Sequence, residues 1–285
     1  MHSPLRLPLL ALLLLPGAGC LQYNDPCQPL VDDPGAVLGY LGQDVRLDRN
    51  YTRHDNHALG QLAADALRHA EDGSKAPAEL GIVNGGSLRS EGLCVTRTVL
   101  PKGPLENGVL HEVLLFENNV VTFDLTEQQL VAMFEHSVEA LYPEGQSIAA
   151  PSGAFLQVSG GTSLKVDCAQ PAGKRVVELK VNDRQVPLPA RTDTSLRYRV
   201  AMVGYLALGG DGYGGVFKDA ATNLSRNPVT ASAAAGKATD ANLTEAYMRK
   251  YHGLDTQPLR EEGRVVFVNC SRPARPGVQE AGSGE

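Results

Sequence analysis

Beyond its N-terminus the sequence has no apolar tract approaching the ~20 residues that a membrane-spanning helix requires. With 42% hydrophobic and 20% charged residues among 285, the mature chain reads as soluble and globular, with length for one large domain or two small ones. It also lacks an excess of positive charge. A formal charge of -6 gives no basic surface to displace counterions from a polyanion, so nucleic acid is not an expected partner. A small anion stays within reach, because a pocket needs only two or three well-placed arginines.

Several chemical motifs are missing as well. No Cys-x-x-Cys pair occurs, which removes support for a structural zinc or a thioredoxin-like site. There is no Gly-x-Ser-x-Gly elbow, and Gly209-Gly210-Asp211-Gly212 lacks the Lys-Ser/Thr of a phosphate cradle. A two-metal hydrolase needs clustered Asp, His and Asn ligands, commonly Asp-x-His, Gly-Asn-His and Gly-His-x-His. Only Asp55-Asn56-His57 has the first spacing, and it reads as the capped start of a helix with an exposed histidine. His54, His69, His111, His136 and His252 are scattered and read as surface residues. No catalytic residue, metal ligand or cofactor is therefore assigned to this chain.

What is present begins with an export signal over residues 1–20: His2 and Arg6, the apolar run Leu7 to Leu15, then Pro16-Gly17-Ala18-Gly19-Cys20. The small residues before Cys20 resemble a bacterial lipobox. The expectation is an exported, lipid-anchored envelope protein that meets the membrane only through Cys20, with secretion or a periplasmic location as the alternative. Lipidation of Cys20 leaves Cys27, Cys94, Cys168 and Cys270, an even number in an oxidising compartment. Of the three pairings, Cys27 with Cys270 and Cys94 with Cys168 is preferred because it joins the two ends of the domain. A single bridge, or four thiols, stays open.

Residues 21–47 read as a linker, 48–270 as one domain, and 271–285 as a small, polar, disordered tail. Between His57 and Ala70, Leu59, Leu62, Ala63, Ala66 and Leu67 recur at helical spacing, with Asp55 or Asn56 as cap. Leu80 to Val83 predicts a buried strand ending at Asn84-Gly85-Gly86. Val113 to Phe116 and Asn119 to Phe123 predict strands, and Thr126 with Gln129 predicts a capping box for a helix reaching Leu141. Further strands are expected at Ala154–Val158, Ser163–Val166, Arg175–Val181, Leu196–Val203 and Gly263–Val268, with a helix over Ala241–Tyr251. Without a strict βαβ rhythm, the class expected is α+β: mixed sheets with packed helices in a single domain.

Two strand-end loops are suited to binding. Asn84-Gly85-Gly86-Ser87-Leu88-Arg89 lets a ligand approach the backbone, and Arg89 offers a planar fork to an anion. Leu208-Gly209-Gly210-Asp211-Gly212-Tyr213 places Asp211 to accept hydroxyl hydrogen bonds. Read alone, each is only a loop, and Phe116 and Tyr205 are core aromatics.

Taken together, the segments resemble the C-terminal domain of the 5′-nucleotidase family. The matching pieces are Arg53-x-x-Asn56 with Leu59 to Ala66, Val83 to Arg89, Leu115 to Val121, Phe155 to Gly161, and Tyr205 to Tyr213. They span about Val45 to Val268. The resemblance implies a domain that holds the nucleoside part of a nucleotide, while a separate metal domain carries out phosphate-ester hydrolysis. It further implies that Phe116 and Tyr205 sandwich the base, Asn84 and Asn118 bond its edge or nearby groups, Arg53 and Arg89 clamp phosphate and ribose, and Asp211 accepts the ribose hydroxyls. Asn56, Leu115 and Glu117 depart from the family's pattern, and Glu117 adds negative charge beside the pocket. The expected partners are a nucleoside or nucleotide and a separate metallophosphoesterase subunit carrying divalent metals, with no intrinsic activity in this chain. The alternative is a non-catalytic nucleoside- or nucleotide-binding lipoprotein.

Overall fold

The computed structural model describes residues 29–71, 77–90, 98–192, 195–217, 227–228, 237–252 and 257–274. The run beginning at Leu80 is apolar without alternation, and the strand Leu80–Asn84 is buried along its whole length, as befits a strand covered on both faces. It pairs parallel with Tyr198–Val203 and antiparallel with Leu156–Val158. Beyond Tyr198–Val203 lies the antiparallel Val120–Leu125, and Asn227–Pro228 closes that edge of a five-stranded mixed sheet. The helix Ala58–Arg68 packs across this sheet through Leu59, Leu62, Ala63, Ala66 and Leu67, all buried. Gly81 sets its distance: a Cβ there would fall 2.0 Å from the Ala64 carbonyl oxygen.

A second, four-stranded sheet holds Thr162–Asp167 between antiparallel Val176–Val181 and parallel Val265–Val268, with Arg184–Gln185 outermost. The α+β class with mixed sheets and packed helices is the observed one. The helix Glu127–Val138 carries the expected capping box, with Gln129 N–H on Thr126 Oγ1 at 3.1 Å and Thr126 N–H on Gln129 Oε1 at 3.0 Å. Among the described residues no helix is long and apolar enough to cross a membrane.

Several expectations need correction. The stretch 21–47 read as linker contains two strands, Val37–Leu41 against Gly103–Glu106 and Val45–Arg46 against Val99–Leu100. Leu38, Leu41, Val45 and Leu47 are buried there, too few and too interrupted by glycine to show as a run. Val113–Phe116 is not a strand: Asn107–Val113 is a helix, whose Leu110 and Val113, with the following Leu114, are buried at three- and four-residue spacing.

The histidines are the third case. His57, not Asp55 or Asn56, caps the Ala58–Arg68 helix, with Nδ1 accepting from Gly60 N–H at 3.2 Å and Nε2 donating to the Arg46 carbonyl at 2.7 Å. His54, His57 and His111 are all about 1% exposed, so none is a surface residue. Burial holds both His54 and His57 well below the ordinary imidazole range, to about 4, with Arg272 and Arg53 adding to the effect at His54. His111 is buried against Glu245, Nε2 to Oε2 2.9 Å.

Finally, Cys168 bonds Cys270, not Cys94, with the α-carbons 5.0 Å apart. The parallel strands Thr162–Asp167 and Val265–Val268 end side by side, so the residues just past them meet, and Cys168 N–H bonds the Val268 carbonyl at 3.0 Å. Residues 271–274, read as the start of a disordered tail, are instead held in place, with Ser271 N–H on the Tyr142 carbonyl at 2.8 Å and Arg272 paired with Asp55. Cys20, Cys27 and Cys94 lie outside the described residues, as do the export signal and residues 275–285.

Candidate functional site

The polar floor of the site begins where the Leu80–Asn84 strand ends. The Gly85–Ser87 turn is pressed against Thr52, since a Cβ on Gly85 would lie 2.1 Å from the Thr52 carbonyl oxygen, and this brings the neighbouring Arg53 alongside. The Asn84 carboxamide donates to Asp211 Oδ2 at 2.7 Å and to the Gly153 carbonyl at 3.3 Å, while its Oδ1 accepts from Ser87 Oγ at 2.6 Å. Both donor hydrogens and one lone pair of the oxygen are therefore engaged within the protein. Asn84 positions Asp211, and a base-edge bond from Asn84 itself has no free donor.

Asp211 sits in the turn after Tyr198–Val203 with a left-handed backbone, φ 50°, between Gly209 and Gly212 at φ 95° and 88°. Aspartate tolerates that region better than most residues, and an outlier of this kind aims a side chain where a regular turn would not. Its Oδ1 accepts from the Tyr205 hydroxyl at 3.0 Å, and the same hydroxyl accepts Asp211 N–H at 3.2 Å. Each carboxylate oxygen keeps a lone pair for a ligand hydroxyl. The Tyr205 ring lies on the backbone of Gly210, where a Cβ would come within 2.4 Å of the ring. Burial and the bond to Asp211 raise the phenol's pKa, so it stays a donor at neutral pH.

Phe116 follows the Asn107–Val113 helix in a turn completed by Glu117 at φ 44°. Phe116 is 51% and Tyr205 47% exposed, so neither is a core aromatic and each offers ring surface to a ligand. The Arg89 guanidinium carbon stands 4.6 Å from the Phe116 ring centroid, close enough for cation–π attraction, and its buried Nε–H has no hydrogen-bond partner among the described residues. Arg53 Nη1 donates to the Pro151 carbonyl at 3.0 Å. Asn118 Nδ2 donates to Asp240 Oδ2 at 3.1 Å, and Asp240 N–H returns a bond to the Asn118 carbonyl at 2.9 Å. Burial pushes the Asp240 carboxyl up to about 6, against the lowering effect of the Asn118 bond.

All seven residues singled out in the sequence, Arg53, Asn84, Arg89, Phe116, Asn118, Tyr205 and Asp211, line one cavity of about 280 Å³. Phe116, Asn118 and Tyr205 also line an adjoining, more apolar cavity of about 490 Å³ that reaches Val121, Ala207 and Leu208. The cleft thus has a polar floor with two arginines, an aromatic mouth, and Asn118 at the junction. Gly153 and Asp240 escaped the sequence reading, because both reach the site through contacts with residues more than sixty positions away. Ser87 lay inside the Asn84–Arg89 loop but had no assigned role.

Among the described residues no group of three or more His, Cys, Asp or Glu side chains is disposed to hold a metal ion. The Asp55-Asn56-His57 spacing is taken up structurally: Asp55 pairs with Arg272, Asn56 bonds Val265 through both amide atoms, and His57 caps its helix. These residues do not fit a metal centre.

The fold is of the mixed α+β class, and the chain belongs to the 5′-nucleotidase, C-terminal domain family, whose model matches residues 37–219. It is similar to the snake venom 5′-nucleotidase of Naja atra, 30% identical over 200 residues, covering 62% of this chain and 34% of that protein. The 5′-nucleotidase of Rattus norvegicus is 34% identical over 170 residues, covering 54% and 26%. Among solved structures, the 5′-nucleotidase precursor from Thermus thermophilus matches with a TM-score of 0.59 and 27% identity, over 82% of this chain and 39% of that one. The chain thus spans about a third of the length of the curated relatives it matches.

Proposed function

We propose that the cleft binds a nucleotide and presents it for phosphate-ester hydrolysis by a metallophosphoesterase. One observation carries the reading: seven residues spread from position 53 to position 211 converge on one cavity with two half-exposed rings at its mouth. In this reading the base stacks against Phe116 and Tyr205, for which a contribution of roughly 1–3 kcal/mol per ring is typical of base–aromatic stacking. Asp211 accepts the ribose hydroxyls, held in place by Asn84 and by the Tyr205 hydroxyl. Arg53 and Arg89 supply charge-assisted bonds to the anionic end. The metals that activate water and neutralise developing charge belong to the metallophosphoesterase; this chain's residues bind and orient.

The family relation to nucleotidases favours this over capture alone, and the non-catalytic binding lipoprotein is the second reading. Both place the chain outside the cytoplasm, exported through residues 1–20 and anchored by lipid on Cys20, or else secreted or periplasmic. The Cys168–Cys270 disulfide supports an oxidising compartment.

Thermal melting with and without AMP is the test. AMP is expected to raise the melting temperature of the wild type, and Tyr205→Ala to abolish the shift. No shift at millimolar AMP contradicts the site. AMP hydrolysis that does not increase when a metallophosphoesterase is added, with Mn²⁺, Zn²⁺ or Mg²⁺ present, removes the catalytic partnership and leaves the binding reading.

A further inference from the structure

Asp240 does not itself line either cavity, yet it is buried beneath Asn118, which lines both, at the start of the helix Asp240–Tyr251. Its two carboxylate oxygens are both acceptors in use: Oδ1 takes Ala241 N–H at 2.9 Å and Oδ2 takes Asn118 Nδ2 at 3.1 Å. A carboxylate has no hydrogen to give, so only the NH₂ end of the Asn118 carboxamide can face it. The orientation of the Asn118 amide therefore follows from the chemistry of its neighbour. The opposite end, Oδ1, accepts no hydrogen bond from any described residue, and Asn118 stands where the two cavities meet beside the rings.

We infer that Asp240 is a positioning residue for base selection: it turns the Asn118 oxygen toward the cleft, which then favours nucleotides whose base presents an exocyclic amino group over their keto counterparts. The inference rests on the nucleotide reading of the site. A keto oxygen opposite the Asn118 oxygen sets two acceptors against each other, and a site built to accept a hydrogen bond discriminates against a group that cannot donate one. The carboxyl, though raised to about 6, is largely ionised at neutral pH.

The test is equilibrium binding of AMP, IMP, CMP and UMP by calorimetry at pH 7.5. The wild type is expected to bind AMP over IMP, and CMP over UMP, by about tenfold. In Asp240→Asn the new carboxamide keeps its oxygen on Ala241 N–H and turns its NH₂ toward Asn118, which must then reverse; the preference is expected to vanish or invert. Asn118→Ala is expected to lose the preference too, and adding Asp240→Asn to it should leave the ratios unmoved. Should Asp240→Asn fail to fold, nuclear Overhauser contacts in the wild type decide the matter: Asn118 Nδ2 protons near the Ala241 amide support the inference, and Nδ2 protons near the bound base overturn it. Equal affinities for amino and keto bases, or a preference that Asp240→Asn leaves intact, also overturn it. If none of the four nucleotides binds, the nucleotide reading falls and this inference with it.

Discussion

The two larger sheets among the described residues divide the work of the molecule. The five-stranded sheet ends in the loops that carry Asn84, Arg89, Tyr205 and Asp211, with glycines packed against carbonyls and rings. The four-stranded sheet carries none of the seven site residues and is closed at one end by the Cys168–Cys270 bond. The difference teaches that stability and binding are largely separable here. The exposed rings of the site, Phe116 and Tyr205, collect at the loops of one sheet, while covalent restraint collects at the other.

The largest expected effect tests the quiet sheet. Replacing Cys168 and Cys270 together by serine opens a covalent loop of sequence separation 102 and should cost about 4 kcal/mol of stability in denaturant unfolding. AMP affinity should barely change, and a large loss of affinity would show the two sheets to be coupled. Next is Asp211→Ala, which removes the acceptor shared by ligand, Asn84 and Tyr205. It should weaken AMP binding by about 3 kcal/mol in calorimetry, with a smaller stability loss from the stranded Asn84 donor.

Acid should act on the scaffold through its two buried histidines. His57 has a folded pKa of about 4 against 6.5 when free, so its contribution is present above pH 6.5 and is lost as pH falls through 4, on the order of 3 kcal/mol in all. His54 shifts in the same sense. Asp240 opposes them: raised from 3.8 to about 6, its contribution is present below pH 3.8 and is lost as pH rises through 6. Denaturant melts at pH 7 and pH 4 should show net destabilisation at the lower pH; unchanged stability would mean that the histidines are solvated.

Smaller effects probe the rings. Phe116→Ala should weaken AMP binding by about 2 kcal/mol while leaving stability nearly unchanged, since half of that ring is exposed. Tyr205→Phe keeps the stacking face and removes only the hydroxyl, with its bonds to the Asp211 carboxylate and N–H, at about 1 kcal/mol of affinity. No loss for Tyr205→Phe would assign that residue's contribution to ring packing rather than to its hydroxyl.

Much of the site was legible because its residues carry local signatures. Asn84-Gly85-Gly86 marks a strand end whatever surrounds it, and Thr126 with Gln129 forms its capping box within one turn. What stayed hidden depends on distant partners. His57 looks polar and local, yet its burial is made favourable by the Arg46 carbonyl and the Gly60 amide. Asp240 gains its meaning only from Asn118, and Cys168 finds Cys270 only once two parallel strands are in register. Val113 to Phe116, a four-residue apolar run, could not be told from a helix end by periodicity alone.

The most direct measurement of the central claim is a crystal structure of this chain with AMP. The account predicts adenine between Phe116 and Tyr205, the ribose hydroxyls on Asp211, and the phosphate within reach of Arg53 and Arg89. AMP bound elsewhere, or a cleft left empty at saturating nucleotide, would contradict it.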